Sequence, residues 1–587
     1  MNLKRLFSRF SLLLLILILL GSIVSTSTDC EKCDSSLSEL PLEACTVVLV
    51  GKEASVDGSV ITTHSADCGM CDWTWRRVPA ADHEPGSMRK IYYISQIRTW
   101  PPEQGLKWDK FVENYTGLEI PQVPRTFAYL HGVFGYMNEH QLALAESTVG
   151  CRPKMRNPTT AAKFDITTLT LVAMERCKTA REAIKLMGSL SGKYGYGYHD
   201  SGEMLAVADP NEVWVFEIMP VGPLWTPESG KPGTIWCAQR VPDDHVSVCQ
   251  NGSRIGEIDL DNPDYFMASP NVISHAVEHG YYDPESGKPF NWKKAYSPSE
   301  YSASSSRGTR VRLWRFFDLV APSHKLSPDI PNMELPFSVK PDKKLSVQDV
   351  MTIMRDKFEG TPFDPVRGLQ GGPFKNPNYL PRPFKLDDKT YNTARIIGVN
   401  RSEYVTLTQS RSWLPNPIGG IVWLALGALD TSCFMPFYAG ATQIPDSFKI
   451  GDHWVFNRDS ARWAFDYTDF HTQVIYSHAI KDVRKAQEKW EGSALARTPT
   501  IDGLAFELYK KDPEQANTFL TDYCNGNANS VVDAWWKLGD NLLVKYNKLW
   551  IYDTKARRMR RLQYPEWWLR LLVEYDKLVP QEPRKKK

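Results

Sequence analysis

The most constraining feature of this chain is an abrupt change of texture at Cys45. Before it the sequence is short-range, polar or apolar in blocks. From it onward, Cys45-Thr-Val-Val-Leu-Val50 reads as a buried strand, Asp57-Gly58 as a turn, and Ser59-Val-Ile-Thr-Thr63 as the returning strand. A strand as apolar as Val47–Val50 must be covered on both faces, which fits a layered body. At 587 residues, with 42% hydrophobic and 24% charged residues, the sequence can build that body and is not disordered. Aromatics are rich, with 19 Trp, and suit buried aromatic layers or a lined cleft.

What precedes Cys45 reads as targeting sequence. Lys4, Arg5 and Arg9 lead an apolar run from Leu12 to Val24, followed by small polar residues, so residues 1–28 have the layout of a secretory signal peptide. Residues 29–44 are a polar, acidic spacer. No later apolar run is long enough to cross a bilayer, so the expected site of action is outside the cell or in a lumen of the secretory or lysosomal pathway, with no stable membrane insertion. Lys and Arg total 70 against 68 Asp and Glu, a net charge of +2, which offers no field for nucleic acid. An oxidising compartment favours disulfides. Nine of the 11 cysteines lie at or after Cys45, an odd number, which predicts one free thiol and as many as four bridges among the other eight. The sequons at Asn114, Asn251 and Asn400 fit a glycosylated secretory product.

Further strands are predicted at 127–148, Met204–Val207, Val213–Ile218, Thr234–Gln239, Thr393–Val399, Tyr404–Gln409 and Ile421–Leu426. A capping box at Thr179 and Glu182 predicts a helix that ends near Gly188. Short helices are predicted at 272–279 and Val347–Phe358, a long amphipathic one over Val474–Trp490, and a helical tail from residue 498. These elements predict an α+β body. His275-Ala-Val-Glu278-His279 has the spacing of two zinc ligands on a helix with a carboxylate beside them, although Gly280 leaves that helix very short and a solvated helix end fits it better. Gly371-Gly372-Pro373 lacks the Lys-Ser/Thr of a phosphate loop, and no GxSxG elbow occurs.

Cys45 on its own is a small residue on a buried strand. The string from Cys45 through Asp67, however, resembles the mature start of the cysteine dipeptidase family that includes dipeptidase A and the secernins, which are similar to other N-terminal-nucleophile hydrolases. Phe134–Thr148, Phe266–Asn271, Ser412–Pro415, Pro436–Gly440 and Arg462–Phe465 resemble its later landmarks in order. The resemblance implies a four-layer αββα sandwich over residues 45–497 with a helical extension over 498–587, and a propeptide, 29–44, removed to expose Cys45. It implies hydrolysis of small peptides without metal or organic cofactor. The thiol of Cys45 would be the nucleophile and its own α-amine, titrating near about 7.7–8.0, the base. It further implies Asp67 as the group orienting Cys45, Asn271 as an oxyanion donor, Arg307 (or Arg310) as the site arginine, and Thr148, beside Glu146 and Ser147, as a second oxyanion or substrate contact. Where related acylases have an arginine three residues before the aspartate, this chain has His64. An acylase on non-peptide amides with the same nucleophile and a non-catalytic secreted glycoprotein are the other readings, and nothing in the sequence sets an oligomeric state.

Overall fold

The computed structural model describes residues 45–69, 71–93, 115–156, 161–197, 202–298, 307–380, 384–391, 394–451 and 453–580, the side chains of 307–310, 385 and 390 excepted. The signal and propeptide segments fall outside that range. Glu43–Lys587 form one compact unit.

Fourteen strands matter for the site. They are β1 (Val47–Val50), β2 (Val60–Ser65), β3 (Arg76–Val78), β4 (Tyr129–His131), β5 (Tyr136–Asn138), β6 (Ala143–Val149), β7 (Gly202–Ala208), β8 (Val213–Met219), β9 (Ile235–Val241), β10 (Val246–Cys249), β11 (Phe266–Ala268), β12 (Tyr404–Ser410), β13 (Ile421–Leu426) and β14 (Met435–Tyr438). Six form an antiparallel sheet in the order β10-β1-β2-β12-β13-β14, and eight form a second, in the order β11-β9-β8-β7-β6-β5-β4-β3. Strands β6 and β7 of the second sheet touch β2 of the first. The fold is therefore α+β, as expected.

β1 is apolar throughout because it has no wet face: β10 and β2 flank it, β6 touches it, and all four of its residues are buried. The turn before β2 has Gly58 at φ +87°, and Asp57 accepts the Ser59 backbone N–H at 3.1 Å, so the Asp-Gly pair serves the turn it announces. β1 and β2 pair by backbone only at Leu49–Thr62 and Val50–Ile61. Beyond that, the hydroxyls of Thr63 and Ser65 accept the N–H groups of Val48 and Thr46, both at 2.9 Å. Side chains thus extend the ladder to the start of the strand and fix it.

Helices α1 (Ile166–Arg176) and α2 (Ala180–Tyr194) stand over the eight-stranded sheet, where α2 touches β7, β8 and β9. The Thr179–Glu182 capping box is present, but α2 continues past Gly188. That glycine does not end the helix. It lets Trp236 approach, since a Cβ there would sit 2.4 Å from the indole. Helix α3 (Arg307–Val320) buries Val311 through Phe317 almost completely. Residues 394–399 form no strand; they are a mostly buried segment whose Gly398 N–H bonds to the Asp356 carbonyl.

Helices α4 (Ala461–Val474), α5 (Tyr476–Tyr509) and α6 (Pro513–Tyr546) pack on one another. α4 also touches β13, and α6 touches β14. The expected boundary at 497/498 lies inside α5, which runs unbroken through it with Pro499 in its interior. The tail is not an appendage. Trp535 on α6 is fully buried and donates its indole N–H to the Thr431 carbonyl at 2.8 Å, and the Tyr438 N–H meets Cys524 Sγ at 3.3 Å.

The expected bridges are corrected as well. Among the described residues Cys68 and Cys71 form the only disulfide; Cys45, Cys151, Cys177, Cys237, Cys249, Cys433 and Cys524 are buried and take no part in one. An odd count constrains parity alone, and six of these seven serve as small packing residues.

Candidate active site

Cys45 lies just ahead of β1 and is held at three points. Its thiol donates to Glu146 Oε2 at 3.4 Å. Its carbonyl accepts from Arg312 Nη1 at 2.9 Å. The N–H of the next residue, Thr46, bonds to Ser65 Oγ, whose hydroxyl donates to Asp67 Oδ2 at 2.9 Å. Asp67 is buried and also accepts from Ser402 Oγ at 2.5 Å and from the Arg395 guanidinium. A relay of side chains thus runs from the Cys45–Thr46 peptide to a buried ion pair.

Glu146 sits on β6, where the strand alternation puts it on the same face as Thr148. The Thr148 hydroxyl donates to Glu146 Oε1 at 2.9 Å. Burial pushes the Glu146 carboxyl above the usual carboxylate range, and bonds from Glu203, Thr148 and Cys45 only partly counter it. His64 on β2 reaches across to the Glu146 backbone carbonyl through Nδ1 at 2.9 Å. Burial drops its pKa to about 4, so the imidazole is neutral.

Arg312 is the hub. Besides the Cys45 carbonyl it donates to Thr46 Oγ1 at 2.8 Å, the Gln250 carbonyl at 3.2 Å and Asn251 Oδ1 at 3.0 Å. Asn251, at φ +66°, turns the chain at the end of β10, donates Nδ2 to the Thr148 carbonyl at 3.2 Å and donates its backbone N–H to Ser147 Oγ at 3.0 Å. Glu217 anchors the residues that follow, accepting Ser253 Oγ and the N–H groups of Arg254 and Ile255.

The structure therefore brings Cys45, Asp67 and Thr148 into one network. Asn271 is elsewhere: its amide donates to the Thr234 carbonyl at 3.2 Å and its own carbonyl accepts His275 N–H, at the start of a helix over Ser274–Glu278. Arg307 begins α3, and the side chains of Arg307 and Arg310 fall outside the description. It is Arg312 on that helix that reaches the site. Reading the chain missed Arg312, Asn251 and Arg395, and noted Glu146 only as a neighbour of Thr148. The usable signal was Arg312 itself, a charge inside an otherwise apolar helix stretch, which must find acceptors. Asn251 carries a sequon, yet it is 4% exposed and doubly bonded, a position a glycan cannot occupy in the folded protein; Asn400 is exposed. The His275–His279 rings stack at 4.0 Å, but Glu278 is turned to Lys231 at 2.6 Å, so the carboxylate of that motif is committed to a cation.

A buried thiol braced by a carboxylate, with its backbone pinned by a buried arginine, is the arrangement of a hydrolase that works through cysteine. Residues 44–489 match the profile of peptidase family C69, and the chain belongs to that family; it is a peptidase. It is 26% identical over 418 residues to probable dipeptidase B of Lactococcus lactis subsp. lactis, covering 69% of this chain and 76% of that one. It is 23% identical over 503 residues to probable dipeptidase A of Streptococcus pyogenes serotype M1 (84% and 94%), and 26% identical over 408 residues to a probable dipeptidase of Salmonella dublin (68% and 81%).

Proposed function

We propose that this protein is a secreted or lumenal dipeptidase whose mature chain begins at Cys45 and which works as an N-terminal-nucleophile hydrolase of the αββα type. The observation that carries the reading is the position of Cys45: its sulfur meets Glu146 while its carbonyl is fixed by Arg312, and the family match begins at residue 44, one residue before it. Relatives named as dipeptidases support a dipeptide substrate. The charged-then-apolar segment over residues 1–28 supports secretion. Among the described residues no helix is long and apolar enough to cross a membrane.

In this reading, release of residues 29–44 frees the Cys45 α-amine, which takes the thiol proton as the sulfur attacks the substrate carbonyl. A tetrahedral oxyanion forms and collapses as the Cys45 ammonium passes its proton to the departing amine; water, giving up a proton to the freed α-amine, then attacks the thioester, and the acid leaves as that proton returns to the sulfur. Asp67, through Ser65, and Arg312 hold the Cys45–Thr46 backbone so that amine and sulfur keep their geometry. Glu146, whose carboxyl is held by burial above the usual carboxylate range, sits against the reacting sulfur beside the Thr148 hydroxyl. The deciding experiment combines the N-terminal sequence of the secreted protein with assays on dipeptides and simple acyl amides. A mature start at Cys45, turnover of dipeptides, and none in a folded Cys45→Ala variant are expected. A start elsewhere in an active protein rejects the mechanism, and preference for acyl amides moves the substrate to the acylase reading.

A further inference from the structure

Cys45 Sγ, a ring nitrogen of His64 and a carboxylate oxygen of Glu146 lie within 4.8 Å of one another, and all three side chains are buried. Thiolate, imidazole and carboxylate are the donor types that zinc takes in four-coordinate sites. The 3.4 Å between Cys45 Sγ and Glu146 Oε2 is close to the edge of about 3.5 Å that a tetrahedron with ordinary Zn–S and Zn–O bonds would have. His64 is prepared for such a role. A carbonyl can only accept, so Nδ1 carries the proton it donates to the Glu146 carbonyl, and Nε2 is left as a bare lone pair. Nε2 is buried and has no hydrogen-bond partner. An inner-face imidazole whose other nitrogen is fixed by a backbone carbonyl is the usual support of a metal-binding histidine.

We propose that Cys45, His64 and Glu146 form an inhibitory site for zinc, or a divalent cation of similar softness, that caps the nucleophile. The carboxylate and thiolate ligands supply the negative charge that offsets the 2+ ion in a buried place, and Glu203 hydrogen-bonds to the Glu146 carboxyl. Binding expels the thiol proton of Cys45 to solvent, and the Glu146 carboxyl ligates in its ionised form. The inference rests on the N-terminal-nucleophile reading for its fourth ligand: a free Cys45 α-amine closes a five-membered chelate ring with its own sulfur and adds a fourth donor to Cys45, His64 and Glu146. Magnesium, which prefers oxygen donors and octahedral geometry, has no comparable fit.

The test uses the processed protein, its N-terminus first established by mass spectrometry, titrated with Co²⁺ and with Zn²⁺. Cobalt is expected to give a thiolate-to-metal charge-transfer band in the near ultraviolet that Zn²⁺ abolishes and Cys45→Ala lacks. Zinc is expected to inhibit dipeptide hydrolysis, with inhibition weakened at least about tenfold in His64→Gln, and Mg²⁺ to do nothing. A processed, active protein with a Cys45 start that shows no cobalt band overturns the metal site while leaving the nucleophile intact. Zinc inhibition of equal strength in folded His64→Gln, checked by circular dichroism, overturns the assignment of His64 as a ligand. A start other than Cys45 removes the fourth ligand and the mechanism together.

Discussion

Arg312 donates to the backbone carbonyl of Cys45 at 2.9 Å with its whole guanidinium buried, so a main-chain oxygen of the nucleophile's residue is anchored by a buried cation. No carboxylate bonds this arginine; its partners are two carbonyls, a hydroxyl and an amide oxygen. Removing it strands those acceptors in the interior. Arg312→Leu is expected to cost about 2–4 kcal/mol in urea unfolding and to lower kcat/KM about 100-fold or more. Arg312→Lys, which keeps the charge but not the two-armed fork, should recover part of the stability and little of the activity. Wild-type turnover in a folded Arg312→Leu protein would show that the anchored carbonyl has no part in catalysis.

Asp67 receives three donors: Ser65, Ser402 and Arg395. Asp67→Asn would turn an NH₂ group toward one of them and leave the Arg395 charge without its counter-ion. A stability loss of about 3 kcal/mol is expected. If Asp67 orients Cys45 through Ser65, Ser65→Ala should reproduce much of the loss in kcat with a smaller loss of stability, because it cuts the relay and leaves the ion pair whole. Full activity in Ser65→Ala would confine Asp67 to a structural role.

How far the sequence could be read depended on how local the cause was. The Asp57-Gly58 turn, the all-apolar β1 and the Thr179–Glu182 box are decided within a few residues, and each is where the chain announces it. Gly188 was misread because its reason, contact with Trp236, lies 48 positions away. The 497/498 boundary failed for a similar reason: nothing local reveals that Trp535 and Cys524 are buried against segments a hundred residues earlier. In the site, Cys45 and Asp67 share a hairpin and could be read together. Arg312 and Asn251 join them only through the topology that sets β10 beside β1, which no spacing encodes.

Of the nine cysteines from Cys45 onward, Cys68 and Cys71 are bridged to each other and the other seven form no disulfide among the described residues. Alkylation of the unreduced, denatured mature protein should therefore add seven labels by intact mass, and nine after reduction. In the native state labelling should be slow at the six packing thiols, since burial pushes Cys177 and Cys524 up to about 12 and raises the thiols of Cys237, Cys249 and Cys433 well above the ordinary thiol range. Four bridges in the peptide map would contradict the fold as described.

His64 gives a pH signature that can be isolated by one substitution. Its folded pKa is about 4 against about 6.5 in an unfolded chain, so the unfolded state binds the proton more readily. The stability this residue contributes is complete above pH 6.5 and is lost as the pH falls toward 4, by about 2 kcal/mol between pH 7 and pH 4.5. The neutral ring is needed because Nε2 is sealed from water and has no acceptor to take a second N–H. His64→Gln keeps a side-chain donor for the Glu146 carbonyl and does not titrate. Urea unfolding of both proteins from pH 7.5 to 4.5 should show the wild type losing about 2 kcal/mol more than the variant over that range. Parallel curves would mean that His64 is not held neutral by burial, and that its ring has a proton acceptor or solvent at Nε2.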